Sequence, residues 1–119
     1  MFGFEKLEVW QRSVDYADHV YRLTEKFPQR ELFGLVTQLR RAAVSVSSNI
    51  AEGSVRGSNK EFVRFIQIAY GSLMETVSQA RIACNQELIT DDEHKVLYEQ
   101  AERVARMLSG LKSKLSQEP

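Results

Sequence analysis

The polar residues best suited to chemistry lie in one stretch, residues 39–53, which reads LRRAAVSVSSNIAEG. It carries two adjacent arginines, followed two to three helical turns later by Asn49 and Glu52. Glu52 and Glu75 would suit acid–base chemistry as a pair, but neither has a histidine or a nucleophile at a suitable spacing. Carboxylates near arginines are usually held in ion pairs, so the pattern predicts a structural polar network rather than an active site. The predicted network consists of Arg40, Arg41, Asn49, Glu52, Ser72 and Glu75.

The other reactive side chains form no catalytic or metal-binding pattern. His19 and His94 have no carboxylate or cysteine cluster at ligand spacing, so we interpret them as surface residues. Cys84 is the only cysteine, which fits a reducing compartment, and its helical spacing indicates a small core residue. The loop 53–58, GSVRGS, follows a predicted helix and lacks the glycine spacing of a phosphate-binding loop. We therefore predict no catalytic residue, no metal and no cofactor.

Five basic residues flank the turn between the second and third predicted helices and are the candidates for contact with nucleic acid: Arg40, Arg41, Arg56, Lys60 and Arg64. Arginine suits phosphate because its planar guanidinium group donates two parallel hydrogen bonds. We expect any such contact here rather than along the fourth helix. The alternative is that these cations pair with nearby acids such as Glu52 and Glu61. The loop has no aromatic residue for base stacking, so any sequence preference would be weak.

The whole chain has the length of one domain, 1–119, which needs neither a disulfide nor a metal to fold. Its 16 basic and 16 acidic residues cancel, so no net charge attracts nucleic acid or a membrane, although a neutral chain can still carry a basic patch. The amino terminus lacks the pattern of a signal peptide, and no apolar run approaches the roughly 20 residues of a membrane span. We expect a cytoplasmic protein that does not enter membranes.

The spacing of apolar residues predicts four helices, at about 5–26, 29–52, 59–86 and 91–115. Ser58 and Thr90 each stand three residues before a glutamate, a pattern typical of capping boxes. Gly53 is expected to close the second helix in the left-handed conformation, and Gly71 to allow close packing. Short connections between long helices indicate an all-α protein, an antiparallel up-down-up-down four-helix bundle.

Two apolar stripes run along the first predicted helix. One consists of Leu7, Trp10, Val14, Ala17 and Tyr21, and the other of Val9, Tyr16, Val20, Leu23 and Phe27. At about 100° per residue they lie roughly 130° apart around the helix. Either the helix has a wide core face, or the second stripe packs against another subunit. We adopt the second interpretation and place an oligomer interface at Val9, Tyr16, Val20 and Leu23.

Three segments, residues 4–28, 31–53 and 61–76, together resemble the 23S ribosomal RNA intervening-sequence proteins. The most specific parts are QLRRAA followed by a serine at position 45, then NIAEG at 49–53 and GSLxE at 71–75. The accessory variability protein of diversity-generating retroelements has a similar bundle. The resemblance implies an antiparallel four-helix bundle, a ring-like homopentamer and no known catalytic activity. The retroelement relatives bind nucleic acid and a reverse transcriptase, but they are more basic than this chain.

Two functional hypotheses follow. The first is a non-enzymatic assembly or scaffolding protein whose partner is itself, as a homopentamer, or another protein. The second is an accessory protein that binds RNA or DNA through a basic patch repeated around a ring. A continuous basic track would favour nucleic acid, whereas interspersed charge would favour the scaffold.

Overall fold

The computed structural model describes residues 1–117, which form four long α-helices and no β-strand. The helices are α1 (Glu8–Thr24), α2 (Thr37–Ser54), α3 (Asn59–Asn85) and α4 (Asp91–Gln117), preceded by a 3₁₀ turn at Gly3–Lys6. Each packs antiparallel to the next in a bundle of 49 × 22 × 22 Å. This confirms the predicted all-α four-helix bundle. Because α1 contacts α2 and α4, and α3 contacts the same two helices, the α1/α2 and α3/α4 sides lie opposite one another.

The starts of α3 and α4 are fixed by local hydrogen bonds, as the sequence predicts. The Ser58 hydroxyl accepts a hydrogen bond from the backbone N–H of Glu61 at 3.2 Å. At α4 the capping box is reciprocal: Thr90 Oγ1 accepts from the Glu93 N–H at 3.1 Å, and the Glu93 carboxylate accepts from the Thr90 N–H at 2.9 Å. Glu93 also pairs with Lys26 beyond the end of α1, and this contact is the largest cause of its lowered pKa.

The connection from α1 to α2 differs from the prediction of a helix that begins at residue 29. A 3₁₀ turn at Gln29–Glu31 is followed by a π-helical turn at Leu32–Val36, and the regular α-helix begins only at Thr37. Gly34 interrupts the helical backbone with φ −115° and ψ −106°, values open to a residue without a Cβ atom. Phe33, beside it, is 93% exposed. The periodic pattern of apolar residues continues through this segment, so spacing alone predicts regular helix there.

The bundle core includes the second apolar stripe of α1. Val9, Tyr16, Val20 and Leu23 are at most 8% exposed in the single chain. Tyr16 hydrogen bonds to Thr76 of α3 across the core at 2.7 Å. The prediction that these four residues form a subunit interface is therefore wrong. The spacing correctly showed two stripes, but it could not show which of them faces the other helices.

Gly53 makes the tightest approach between α2 and α3. It keeps a helical backbone within α2 rather than the expected left-handed conformation, and no described glycine has a positive φ. A Cβ atom at position 53 would lie 2.5 Å from the Cβ of Phe65 and 3.0 Å from a ring carbon of Phe62. The absent side chain thus lets the start of α3 pack against the end of α2.

Candidate functional site

The predicted polar network separates into three groups in the structure. Arg40 faces α1 rather than a carboxylate: its Nε donates to Thr24 Oγ1 at 2.9 Å, and its guanidinium lies 4.5 Å from the centroid of the Tyr21 ring. A longer hydrogen bond of 3.5 Å reaches the Tyr21 carbonyl. Arg40 is thus held by a hydroxyl, a carbonyl and an aromatic face, and it fixes the register between α1 and α2.

The second group joins α2 to α3 through neutral side chains. Ser45 and Ser72 are hydrogen bonded at 2.9 Å, and the Asn49 amide donates to both the hydroxyl and the carbonyl of Ser45. Asn49 is half-buried and Ser72 is buried, as expected for a close helix contact. Gly71, by contrast, faces open space. Of the two neighbours Gly71 and Ser72, only Ser72 therefore packs closely against α2.

The charged members of the predicted network do not join this contact. Glu52 is exposed and pairs with Arg56 one turn later at 3.0 Å. Arg41 and Glu75 are both exposed, and neither makes an ion pair or hydrogen bond within residues 1–117. The prediction that Asn49, Glu52 and Glu75 pair with Arg40 or Arg41 is therefore wrong. Helical spacing can place these charges on the same side of the bundle. However, Glu52 and Glu75 are exposed to water and therefore do not require an arginine partner.

The five predicted basic residues do not form a continuous basic track. Arg56 pairs with Glu52, and Arg64 lies 3.5 Å from a carboxylate oxygen of Glu61. Both guanidinium groups also lie over the ring of Phe65, with distances of 4.7 and 5.4 Å to its centroid. Arg40 faces α1 and pairs with no carboxylate, so Arg41 and Lys60 are the two of the five that have no hydrogen-bond or ion-pair partner among the described residues. Charges around this turn are interspersed, as the alternative interpretation required.

The remaining reactive side chains occupy structural positions. His19 Nδ1 lies 2.6 Å from the side-chain oxygen of Gln100, and His94 packs beside the Tyr98 ring. The Cys84 thiol donates to Asp91 at 3.3 Å, and its pKa is raised, first by desolvation and then by this hydrogen bond. A raised pKa disfavours the nucleophilic thiolate. Across residues 1–117, no three potential metal ligands lie together, and no helix is long and apolar enough to cross a membrane.

An apolar surface that the sequence analysis missed runs along the junction of α1 and α2. The Arg40–Thr24 hydrogen bond joins the two antiparallel helices, and from this register we infer that Tyr21 and Val44 lie at the same level of the bundle. The same register brings apolar residues together farther down the helices. We call this surface the α1/α2 face, and it consists of Trp10, Val14, Tyr21, Val44, Ala51 and Val55. Tyr21, Val44 and Val55 are 42%, 40% and 75% exposed.

The α1/α2 face continues at the amino terminus. The Phe4 ring meets the Trp10 ring edge-on at 5.2 Å and stacks on Phe2, which is 73% exposed. The sequence signal was present, because three residues of the face belong to the first apolar stripe of α1. In the structure the second stripe lies in the core and the first is divided: Ala17 is buried and Trp10 packs against the core, whereas Tyr21 is exposed.

Comparison with known proteins agrees with this architecture. A solved structure from Bacteroides thetaiotaomicron, a protein with unknown function from the S23 ribosomal protein family, superposes with a TM-score of 0.79. It is 20% identical, and the match covers 87% of this chain and 97% of that one, which shows a shared fold. A search of curated proteins found no match. The 23S rRNA-intervening sequence protein family matches residues 5–110, almost the full length, and the chain therefore belongs to that family.

Proposed function

We propose that this protein is a non-enzymatic assembly module that associates with copies of itself through the α1/α2 face. The observation that carries the proposal is the row of half-exposed apolar residues on that face. Isolated apolar residues are common on protein surfaces, whereas a contiguous patch on neighbouring helices is typical of a contact surface.

The composition of the face supports a protein partner. It combines tryptophan, tyrosine and valine with the small Ala51, so large anchors lie beside positions where another helix could approach closely. The Arg40 guanidinium covers one side of the Tyr21 ring and limits its freedom before any association. An ordered aromatic side chain loses less conformational entropy on binding.

A ring requires two different surfaces on each subunit, because a contact that closes cyclically is head-to-tail. The family resemblance implies five subunits, and we propose a homopentamer on that ground. The apolar α1/α2 face would supply one side of each contact. Nucleic-acid binding through Arg40, Arg41, Arg56, Lys60 and Arg64 receives less support, since three of these cations already have partners within the chain.

The test replaces Val44 with glutamate and compares the product with Val96→Glu. Both valines are partly exposed, at 40% and 49%, but Val96 lies on α4 outside the α1/α2 face. Light scattering at micromolar concentration should give a pentamer mass for the wild type and for Val96→Glu, and a smaller mass for Val44→Glu with unchanged helicity. A monomeric wild type would refute self-assembly. Dissociation by Val96→Glu but not by Val44→Glu would refute the assignment of the contact to this face.

A further inference from the structure

A long groove between α3 and α4 lies on the opposite side of the bundle from the α1/α2 face. It has two adjoining segments of about 670 and 390 Å³. The outer segment, at the α2–α3 turn, is lined by Ser58, Lys60, Val63, Leu115 and Ser116 among others. The inner segment is lined by Ile66, Gln67, Tyr70, Gly71, Leu108, Ser109 and Lys112. At 1.5 Å per helical residue, the groove extends for about 20 Å.

The helical segments that form this groove carry more basic than acidic residues, and two of the basic residues, Lys60 and Lys112, line the groove itself. Residues 57–71 and 103–117 contain six basic side chains and one acidic side chain, Glu61, which pairs with Arg64. The two lysines that line the groove, Lys60 and Lys112, have no carboxylate within 4 Å among the described residues. The acids of α4 that the structure describes precede residue 103, with Asp91 and Asp92 in its first turn. The groove therefore presents cations that nothing in the described chain neutralises.

The inner segment adds an aromatic surface to this charge. Tyr70 lines it and is 38% exposed, so part of the side chain is available for stacking. Gly71, next to it, has no atom within 4 Å of the position where a Cβ would lie, which leaves open space beside the tyrosine. Ser109 and Gln67 supply side-chain hydrogen-bonding groups on the two walls. Lysines that follow a groove, together with an aromatic platform, form the combination that binds single-stranded nucleic acid.

We infer that the α3/α4 groove binds single-stranded nucleic acid, with Lys60 and Lys112 at the phosphates and Tyr70 against a base. Its length suits about four nucleotides, near the lower end of the site sizes known for small single-strand-binding domains. A duplex is a poorer fit because its bases are stacked internally and unavailable to Tyr70. An anionic membrane is also a poorer fit, because the lysines line a concave groove rather than a convex surface. This site differs from the basic residues selected from the sequence, of which it retains only Lys60.

The experiment measures fluorescence anisotropy of a labelled 12-nucleotide single-stranded RNA, titrated with the full protein at 50 and 200 mM salt. The wild type should bind, and Lys60→Glu/Lys112→Glu should bind at least about tenfold more weakly at low salt. Each phosphate contact with a single strand contributes about 0.7 to the slope of log affinity against log salt. The double variant should therefore lower that slope by about 1.4. Tyr70→Leu should weaken binding about tenfold with little change in the slope, because stacking releases few counterions.

Matched controls separate the groove from general charge. Arg22→Glu/Lys95→Glu makes the same change in net charge outside the groove, and Phe33→Leu removes an exposed aromatic at the other end of the bundle. Both should bind RNA like the wild type. Circular dichroism and light scattering on every variant identify any loss of RNA binding that is caused by unfolding or disassembly. A failure of the assembly proposal can therefore be told apart from a failure of RNA binding.

Three outcomes would overturn the inference. The first is no binding of single-stranded RNA by the wild type at 50 mM salt. The second is equal loss in the groove variant and the charge control. The third is binding to vesicles of anionic lipid, or to duplex RNA, in clear preference to the single strand.

Discussion

Tyr16 is the largest fully buried side chain among the described residues, and it carries a hydroxyl group into the core. It is 1% exposed, and its hydroxyl lies 2.7 Å from Thr76 Oγ1. Thr76 donates its own proton to the Leu73 carbonyl at 2.6 Å, so Tyr16 must be the donor to Thr76. Tyr16→Phe should lower the free energy of unfolding by about 1 kcal/mol, because it removes one neutral hydrogen bond. Thr76→Val should cost more, about 2 kcal/mol, because it leaves the buried tyrosine hydroxyl without an acceptor.

Denaturant unfolding of both single variants and the double variant tests this pair. The double variant should lose less than the sum of the single losses, because its two groups share one interaction. Strict additivity would show that the hydrogen bond contributes nothing. Burial raises the pKa of Tyr16 to about 12. The protonated tyrosine therefore contributes its full stability below its ordinary pKa of about 10, and that contribution is lost as pH rises from there through 12.

At the scale of the helices, the close contact between α2 and α3 depends on glycine at position 53. Alanine is ordinarily better than glycine in a helix by about 1 kcal/mol. At position 53, however, its Cβ would lie 2.5 Å from the Cβ of Phe65, which belongs to α3 and cannot move independently of its backbone. Gly53→Ala should therefore destabilise the protein by about 1–3 kcal/mol through overpacking.

Gly110 offers the matched control, since it is an exposed glycine in the middle of α4 with no atom within 4 Å of an added Cβ. Gly110→Ala should raise the free energy of unfolding by about 0.5–1 kcal/mol. Thermal or denaturant unfolding of both variants measures these effects. A rise in the free energy of unfolding for Gly53→Ala as well would show that helix propensity, rather than the contact with Phe65, governs position 53.

The features that the sequence predicted at this scale were those fixed by neighbouring residues. Ser58 and Thr90 cap α3 and α4 as expected, because the capping side chain and its partner lie three residues apart. The turn at Leu32–Val36 was not predicted, because Gly34 breaks the helix without disturbing the apolar pattern around it. Local spacing therefore predicted the four helices but not the 3₁₀ and π-helical turns that precede α2.

At the scale of the whole molecule, the fold followed from helix length and short connections, whereas the surfaces did not. The sequence showed two apolar stripes on α1, but only packing against the other helices decides that Val20 is internal and Tyr21 is exposed. Arg40 illustrates the same limit, because its partner Thr24 belongs to another helix. The neutral total charge likewise hid the basic groove, because Lys60 and Lys112 line one groove only when α3 and α4 pack together.

The irregular connection between α1 and α2 also has a consequence for how the native protein responds to proteases. Phe33 is almost fully exposed, and the surrounding turns lack the regular hydrogen bonding of an α-helix. A protease must draw several residues of backbone into its cleft, which ordered helices resist and such a segment permits. Chymotrypsin, which cleaves after large aromatic residues, should make its first internal cut after Phe33.

The two pieces, 1–33 and 34–119, should stay together after this cut, because α1 remains packed against α2 and α4. Mass spectrometry of a brief digest would identify the cut, and gel filtration would show whether the nicked protein keeps its size. An earlier internal cut within α3 or α4 would show that another part of the bundle opens more readily. A single nick at Phe33 would give a bundle of two chains, from which the fragment that carries α1 could be removed and exchanged.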